Sequence, residues 1–136
     1  MATKLFLNIP VKNIERTNAF FTTLGFQFNP AFSDEKATCM ILSDDGYVML
    51  LQEEFFKGFT PKPIADAHQT AQAIIGISAD SREGVDALYD KAIAMGATES
   101  KEAYDYGFMY GHSFNDLDGH IWEVFWMDPQ APPPHG

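Results

Sequence analysis

The 136-residue sequence predicts an α+β protein made of two βαβββ modules. Strand-type and helix-type periodicities follow one another in the same order in both halves, and the turn and cap residues recur at matching places. The spacing between matching landmarks also drifts slowly and in one direction. Phe6 to Gln72 spans 66 positions, Asn13 to Ser81 68, Gly25 to Gly96 71 and Gly46 to Gly119 73. Any one match can arise by chance, but four in order are the trace of a duplicated unit.

The first module covers about residues 4–52. Residues 4–11 alternate aliphatic positions and read as a strand whose proline falls near its end, where a missing ladder donor matters least. Asn13 then caps a helix over 14–24, with Ile14, Ala19, Phe20, Phe21 and Leu24 on one face and Gly25 as its stop. Strands follow at 26–32, 37–43 and 47–52, the last two joined by a turn ending in Asp45-Gly46.

The second module covers about residues 72–127 and repeats this grammar. A strand at 72–78 leads to a helix capped by Asp80 or Ser81, with Val85, Leu88, Tyr89, Ile93 and Met95 on its apolar side and Gly96 at its end. A weaker strand near 97–101 precedes one at 107–115, a turn at 116–119 and an apolar strand at 120–127. Residues 53–71, interrupted by Pro61 and Pro63, read as a linker or a lid, and the Pro-rich tail 128–136 as disordered. The two modules are expected to form one domain.

Hydrophobic residues make up 46% of the chain, enough for a buried core. The formal charge of −10 disfavours nucleic acid and anionic membrane surfaces as partners and attracts cations. Cys39 is the single cysteine, so neither an intrachain disulfide nor a thiolate cluster is available, and its apolar surroundings mark it as a core filler. With no leader pattern and no spanning apolar run, the expected address is the cytoplasm.

Three patterns carry a resemblance to a known family. Asn8-Ile-Pro-Val-Lys-Asn-Ile14 runs into Phe20-Phe-Thr-Thr-Leu-Gly-Phe26, and Phe114-Asn-Asp-Leu-Asp-Gly-His-Ile-Trp-Glu123 closes the second module with Leu117 where the family pattern has proline. With the duplication, these resemble the vicinal oxygen chelate superfamily of glyoxalase, bleomycin-resistance and extradiol-dioxygenase relatives, over about residues 4–127. The resemblance implies cupped mixed sheets with helices on the outer face, a small-molecule site inside the cup and a homodimer. Metal-dependent relatives hold their ion from the first strand of each half and the last strand of one or both. Carried across, those positions are Phe6, Gln72 and Glu123, with Leu50 as the pseudo-symmetric mate of Glu123.

Strand parity places Ile121, Glu123 and Phe125 on one face of the last strand and Trp122, Val124 and Trp126 on the other. On the first strand, Phe6, Asn8 and Pro10 share a face. A transition-metal site needs about three imidazole, thiolate or carboxylate donors. One carboxylate, one amide, a phenyl ring and an isobutyl group do not supply them. No cofactor is therefore expected, and neither is metal-dependent glyoxalase or extradiol dioxygenase chemistry. A substitute site from Glu123 with His112 or Gln72 is a lesser alternative. Parity turns His112 away from Ser113 and Gly111, while His68, His120 and His135 read as exposed or turn-forming residues.

Among apolar neighbours, the Glu123 carboxylate is the candidate catalytic group, a general base for lyase or isomerase chemistry in which Asn8 or Gln72 polarises a carbonyl. The competing reading is a carboxylate bonded to Gln72 or Asn8 and doing no chemistry. Asn8, Gln72, Phe6, Leu50, Ser113 and Phe125 are the candidate ligand-binding residues. Tyr104, Tyr106, Phe108, Met109 and Tyr110 form an aromatic stretch suited to a flat ligand, to core or to a dimer contact. A non-catalytic protein that binds or sequesters a drug or antibiotic is the alternative function.

Overall fold

In a computed structural model describing residues 3–130, the chain divides into two compact units, one ending at Asp66 and the other beginning at Ala67. The first contains β1 (Leu5–Val11), α1 (Ile14–Leu24), β2 (Gln27–Phe28), β3 (Ala37–Ile41), β4 (Gly46–Gln52) and a single helical turn α2 (Glu53–Phe56). The second contains β5 (Ile74–Ser78), α3 (Arg82–Ala94), β6 (Thr98–Asp105), β7 (Met109–Asn115) and β8 (Ile121–Met127). Each forms a four-stranded mixed sheet, in the orders β1-β4-β3-β2 and β5-β8-β7-β6. First and last strands pair in parallel, and the rest pair antiparallel. The same strand order in both units is what a duplicated βαβββ module gives.

Local chemistry sets the helix ends. The Asn13 side chain accepts the Arg16 amide at 2.9 Å, and the Ser81 hydroxyl accepts the Gly84 amide at 3.0 Å. Gly25, at φ 108°, closes α1 in a conformation that a side chain would oppose. One sheet face in each unit is dry. In the first, Ile9, Val11, Val48, Leu50 and Met40 join Phe20, Phe21 and Leu24 of α1 in the core. In the second, Phe114, Trp122 and Val124 join Val85 and Ala92 of α3. Cys39 is buried as expected, and burial pushes its thiol pKa up, away from reactivity.

Several boundaries differ from the sequence reading. The expected strand at 26–32 shrinks to two residues, because Pro30 starts a 3-10 turn over Pro30–Phe32 that Asn29 caps. The expected weak strand at 97–101 extends to Asp105. Of the expected disordered tail, residues 131–136 lie outside the described residues. Asp128 instead donates its amide to the Phe108 carbonyl at 2.7 Å. Among the described residues, no helix is long and apolar enough to cross a membrane.

Candidate functional site

Strand register shows which predicted residues share a face. Counting back from the closing hairpins, Ile41 pairs with Tyr47 in the first unit as Asn115 pairs with Ile121 in the second. Across the last strands, Tyr47 pairs with Phe6 and Ile121 with Ile74. The repeat offset is therefore 74 − 6 = 68 on the first strands, which equals the spacing of the Asn13 and Ser81 caps, and 121 − 47 = 74 on the last.

Two predicted positions are corrected by this register. The mate of Glu123 is Met49, not Leu50 (123 − 74 = 49). Leu50 is fully buried and pairs with Ile9 on the dry face. The mate of Phe6 is Ile74, not Gln72, which lies in an exposed bend before β5 begins. Phe6 and Asn8 do lie on the open face of the first unit. Phe6 stacks on Tyr47 with centroids 4.9 Å apart, and the Asn8 amide donates to the Phe6 carbonyl at 3.1 Å.

In the second unit Glu123, Ser113 and Phe125 share the open face. Glu123 pairs with Ser113 on β7 and with Gly76 on β5. A Cβ added at Gly76 would stand 3.4 Å from the Phe125 ring and 3.9 Å from Glu123 Oε1, so the glycine leaves both side chains room over β5. His112 lies one residue from Ser113 and points to the other face. It stacks on Tyr89 of α3 at 3.5 Å, with Nε2 2.8 Å from Glu99 Oε2. The pairing of His112 with Glu123 as metal ligands is thereby excluded, because they project from opposite faces of one sheet.

Around Glu123 the chain forms a pocket of about 250 Å³, lined by Lys101, Glu102, Tyr104, Tyr106, Met109 and Ser113. Its far wall depends on irregularity in β6, whose register shifts between Glu99 and Lys101 and again between Lys101 and Tyr104. A regular strand sends neighbours to opposite faces, yet Lys101 and Glu102 both line this pocket. Tyr104 ends up opposite Gly111, and a Cβ there would sit 2.6 Å from its ring Cζ. Only glycine leaves a seat for this ring.

The Tyr104 hydroxyl is buried beside Glu123, close to the carboxylate but without a well-directed hydrogen bond. Burial first, and the Glu123 charge second, push the phenol pKa well above its ordinary value. Tyr104 thus stays a neutral proton-bearing group beside an acid throughout the physiological range. Tyr106 stacks on Tyr104 at 5.1 Å and continues the wall outward.

The hairpin carrying Tyr106 and Met109 is pinned by Arg82 at the start of α3. Its guanidinium donates to both Asp105 oxygens, at 2.7 and 3.0 Å, and to the Gly107 carbonyl at 2.8 Å. Those bonds, with the Gly107 amide, hold the Asp105 carboxyl below its usual pKa. Arg82 also lies over the Tyr110 and Trp126 rings, at 5.2 and 5.1 Å.

The ion-holding positions of the metal-dependent pattern carry Phe6, Met49, Ile74 and Glu123, with a single strong donor among them. Among the described residues, no three His, Cys, Asp or Glu side chains cluster so as to hold a metal ion. This donor set does not fit a divalent metal. Sequence reasoning missed Lys101 and Glu102 and left Tyr104 among several aromatic alternatives. The glycine at 111 was the available signal, although it becomes legible only once the partner residue across the strand is known.

Residues 3–43 match the bleomycin resistance protein-like N-terminal family. No curated protein sequence matches the chain. Among solved structures, a hypothetical protein from S. aureus is similar at 23% identity and a TM-score of 0.77, over 93% of this chain and 95% of that one. A glyoxalase/bleomycin resistance protein/dioxygenase family enzyme from Burkholderia phytofirmans shares 20% identity, with a TM-score of 0.75 over 93% and 99%. A genomically encoded fosfomycin resistance protein from Listeria monocytogenes shares 18%, with a TM-score of 0.67 over 97% and 96%. These likenesses show the fold, which is that of the glyoxalase/bleomycin-resistance group, and the N-terminal match agrees with it.

Proposed function

We propose that this protein binds a small organic molecule in the pocket of its second unit, with Glu123 as the anchoring group and without the divalent ion of metal-dependent relatives. The observation that carries this reading is the Glu123 carboxylate on an open sheet face, set beside a neutral phenol and a serine hydroxyl in a pocket also lined by Lys101, Glu102, Tyr106 and Met109. Such a constellation of few polar groups among aromatic side chains is how ligand pockets fix orientation. The likeness to a fosfomycin resistance protein and to a glyoxalase-family enzyme is compatible with binding alone and with turnover.

A second reading is lyase or isomerase chemistry in which Glu123 removes a proton next to a carbonyl. The Tyr104 phenol favours it, because a neutral hydroxyl held beside the carboxylate without a committed partner can donate to the oxygen of a bound carbonyl. A homodimer in the cytoplasm remains part of the proposal, and light scattering at the monomer mass would remove the dimer. The test of the function is a thermal-shift screen of dicarbonyls, glutathione adducts, catechols, amines and glycopeptide antibiotics on the wild type and Glu123→Gln. Stabilisation that disappears in the variant is expected. Recovery of the compound unchanged selects binding, and a new product selects catalysis. Ligands that stabilise both proteins equally would contradict the assignment of Glu123.

A further inference from the structure

We propose that the ligand of this pocket is a small zwitterion of the amino-acid class, with a protonated amine on Glu123, a carboxylate on Lys101 and a short apolar body along Tyr106 and Met109. This names the ligand class for the Glu123 reading and rests on it. The central observation is a single rung across three strands. Lys101 on β6 pairs with Ser113 on β7, and Ser113 pairs with Glu123 on β8. All three line the pocket. Neighbouring strands stand about 4.8 Å apart, so the cation and the carboxylate spring from points about 10 Å apart with a hydroxyl midway.

Neither charge is consumed by the protein. Among the described residues Lys101 and Glu123 form no ion pair, with each other or with Glu102. The register shifts on either side of Lys101 set the lysine on this rung while bringing Tyr104 onto the same face three residues later. Glu102 adds a second carboxylate to the lining, so one cation faces two acids. A simple anion is repelled by that balance, and a simple cation leaves Lys101 without a partner. A molecule carrying both charges satisfies each end through charge-assisted hydrogen bonds.

The apolar part has a wall of its own in Tyr106, stacked on Tyr104, and Met109. The volume of about 250 Å³ is below the range typical of drug-sized ligands, which suits a free amino acid.

The test is calorimetric titration of the full chain with L-phenylalanine, phenethylamine (no carboxylate) and 3-phenylpropionate (no amine). In the wild type, phenylalanine is expected to bind about tenfold more tightly than either half-ligand. Lys101→Gln should bring phenylalanine down to the level of phenethylamine, and Glu123→Gln to that of phenylpropionate. Because Lys101 is exposed, Lys101→Glu should fold and reverse the preference in favour of phenethylamine. If phenethylamine binds the wild type as well as phenylalanine and still depends on Glu123, the zwitterion is wrong and the Glu123 reading stands. If none of the three binds in a Glu123-dependent way, the zwitterion is also wrong, and the screen above decides the Glu123 reading.

Discussion

Replacing Asp116 by alanine is expected to destabilise the protein by about 3 kcal/mol, the cost of leaving two or three buried donors unpaired. Asp116 is 6% exposed and accepts the Asp118 amide at 2.9 Å, the His120 amide at 3.0 Å and the Trp122 indole N–H at 2.8 Å. One carboxylate therefore closes the β7–β8 turn and satisfies the indole of the fully buried Trp122. Burial pushes its pKa up, opposed by His120 and by these hydrogen bonds. Thermal unfolding should show a midpoint lowered by roughly 10 °C. Asparagine keeps only one acceptor oxygen, so Asp116→Asn should fall between wild type and alanine. In a Trp122→Phe background the cost of Asp116→Ala should shrink by about 1 kcal/mol, because the indole donor is already gone. Equal losses in both backgrounds would show that the bond to Trp122 contributes nothing.

Gly119→Ala is expected to cost about as much, by a different route. Gly119 sits at φ 89°, a conformation about 1–2 kcal/mol unfavourable for other residues. Its added Cβ would also meet the backbone carbon of Ala67 and the amide nitrogen of His68, both at 2.7 Å. Backbone cannot swing aside as a side-chain tip can, so the turn or the 67–68 segment must move. Denaturant unfolding should give a total loss of about 3 kcal/mol. A loss under 1 kcal/mol would mean that this segment yields easily and does not fix the turn. Because both residues belong to one turn, the double variant should lose less than the sum.

The fold was legible because alternation and capping are local. Asn13, Ser81 and Gly25 act at the predicted places, and the parity of β8 follows from placing Trp122 and Val124 in the core. The outward turn of His112 came from the same period-two rule. Register was not legible at that resolution. Gly46 and Gly119 looked like equivalent turn residues, but Gly46 opens its strand while Gly119 precedes β8 by two residues. That difference shifted the mate of Glu123 from Met49 to Leu50, and a one-residue shift changes the face. Gln72 was misplaced because the apolar run of β5 begins only at Ile74.

The pocket wall was hidden for another reason. Regular alternation cannot place Lys101, Glu102 and Tyr104 around one acid, and the register shifts in β6 that do so leave no compositional mark. Side chains brought together by such irregularity are read from coordinates, not from period.

Metal analysis of the protein purified without chelator tests the account most directly. With Phe6 and Met49 at the ion-holding positions of the first unit, and Ile74 and Glu123 at those of the second, the protein should retain far less than one transition-metal ion per chain, and calorimetric addition of zinc or nickel should show no tight single-site binding. Near-stoichiometric metal that is lost in Glu123→Gln would contradict the account.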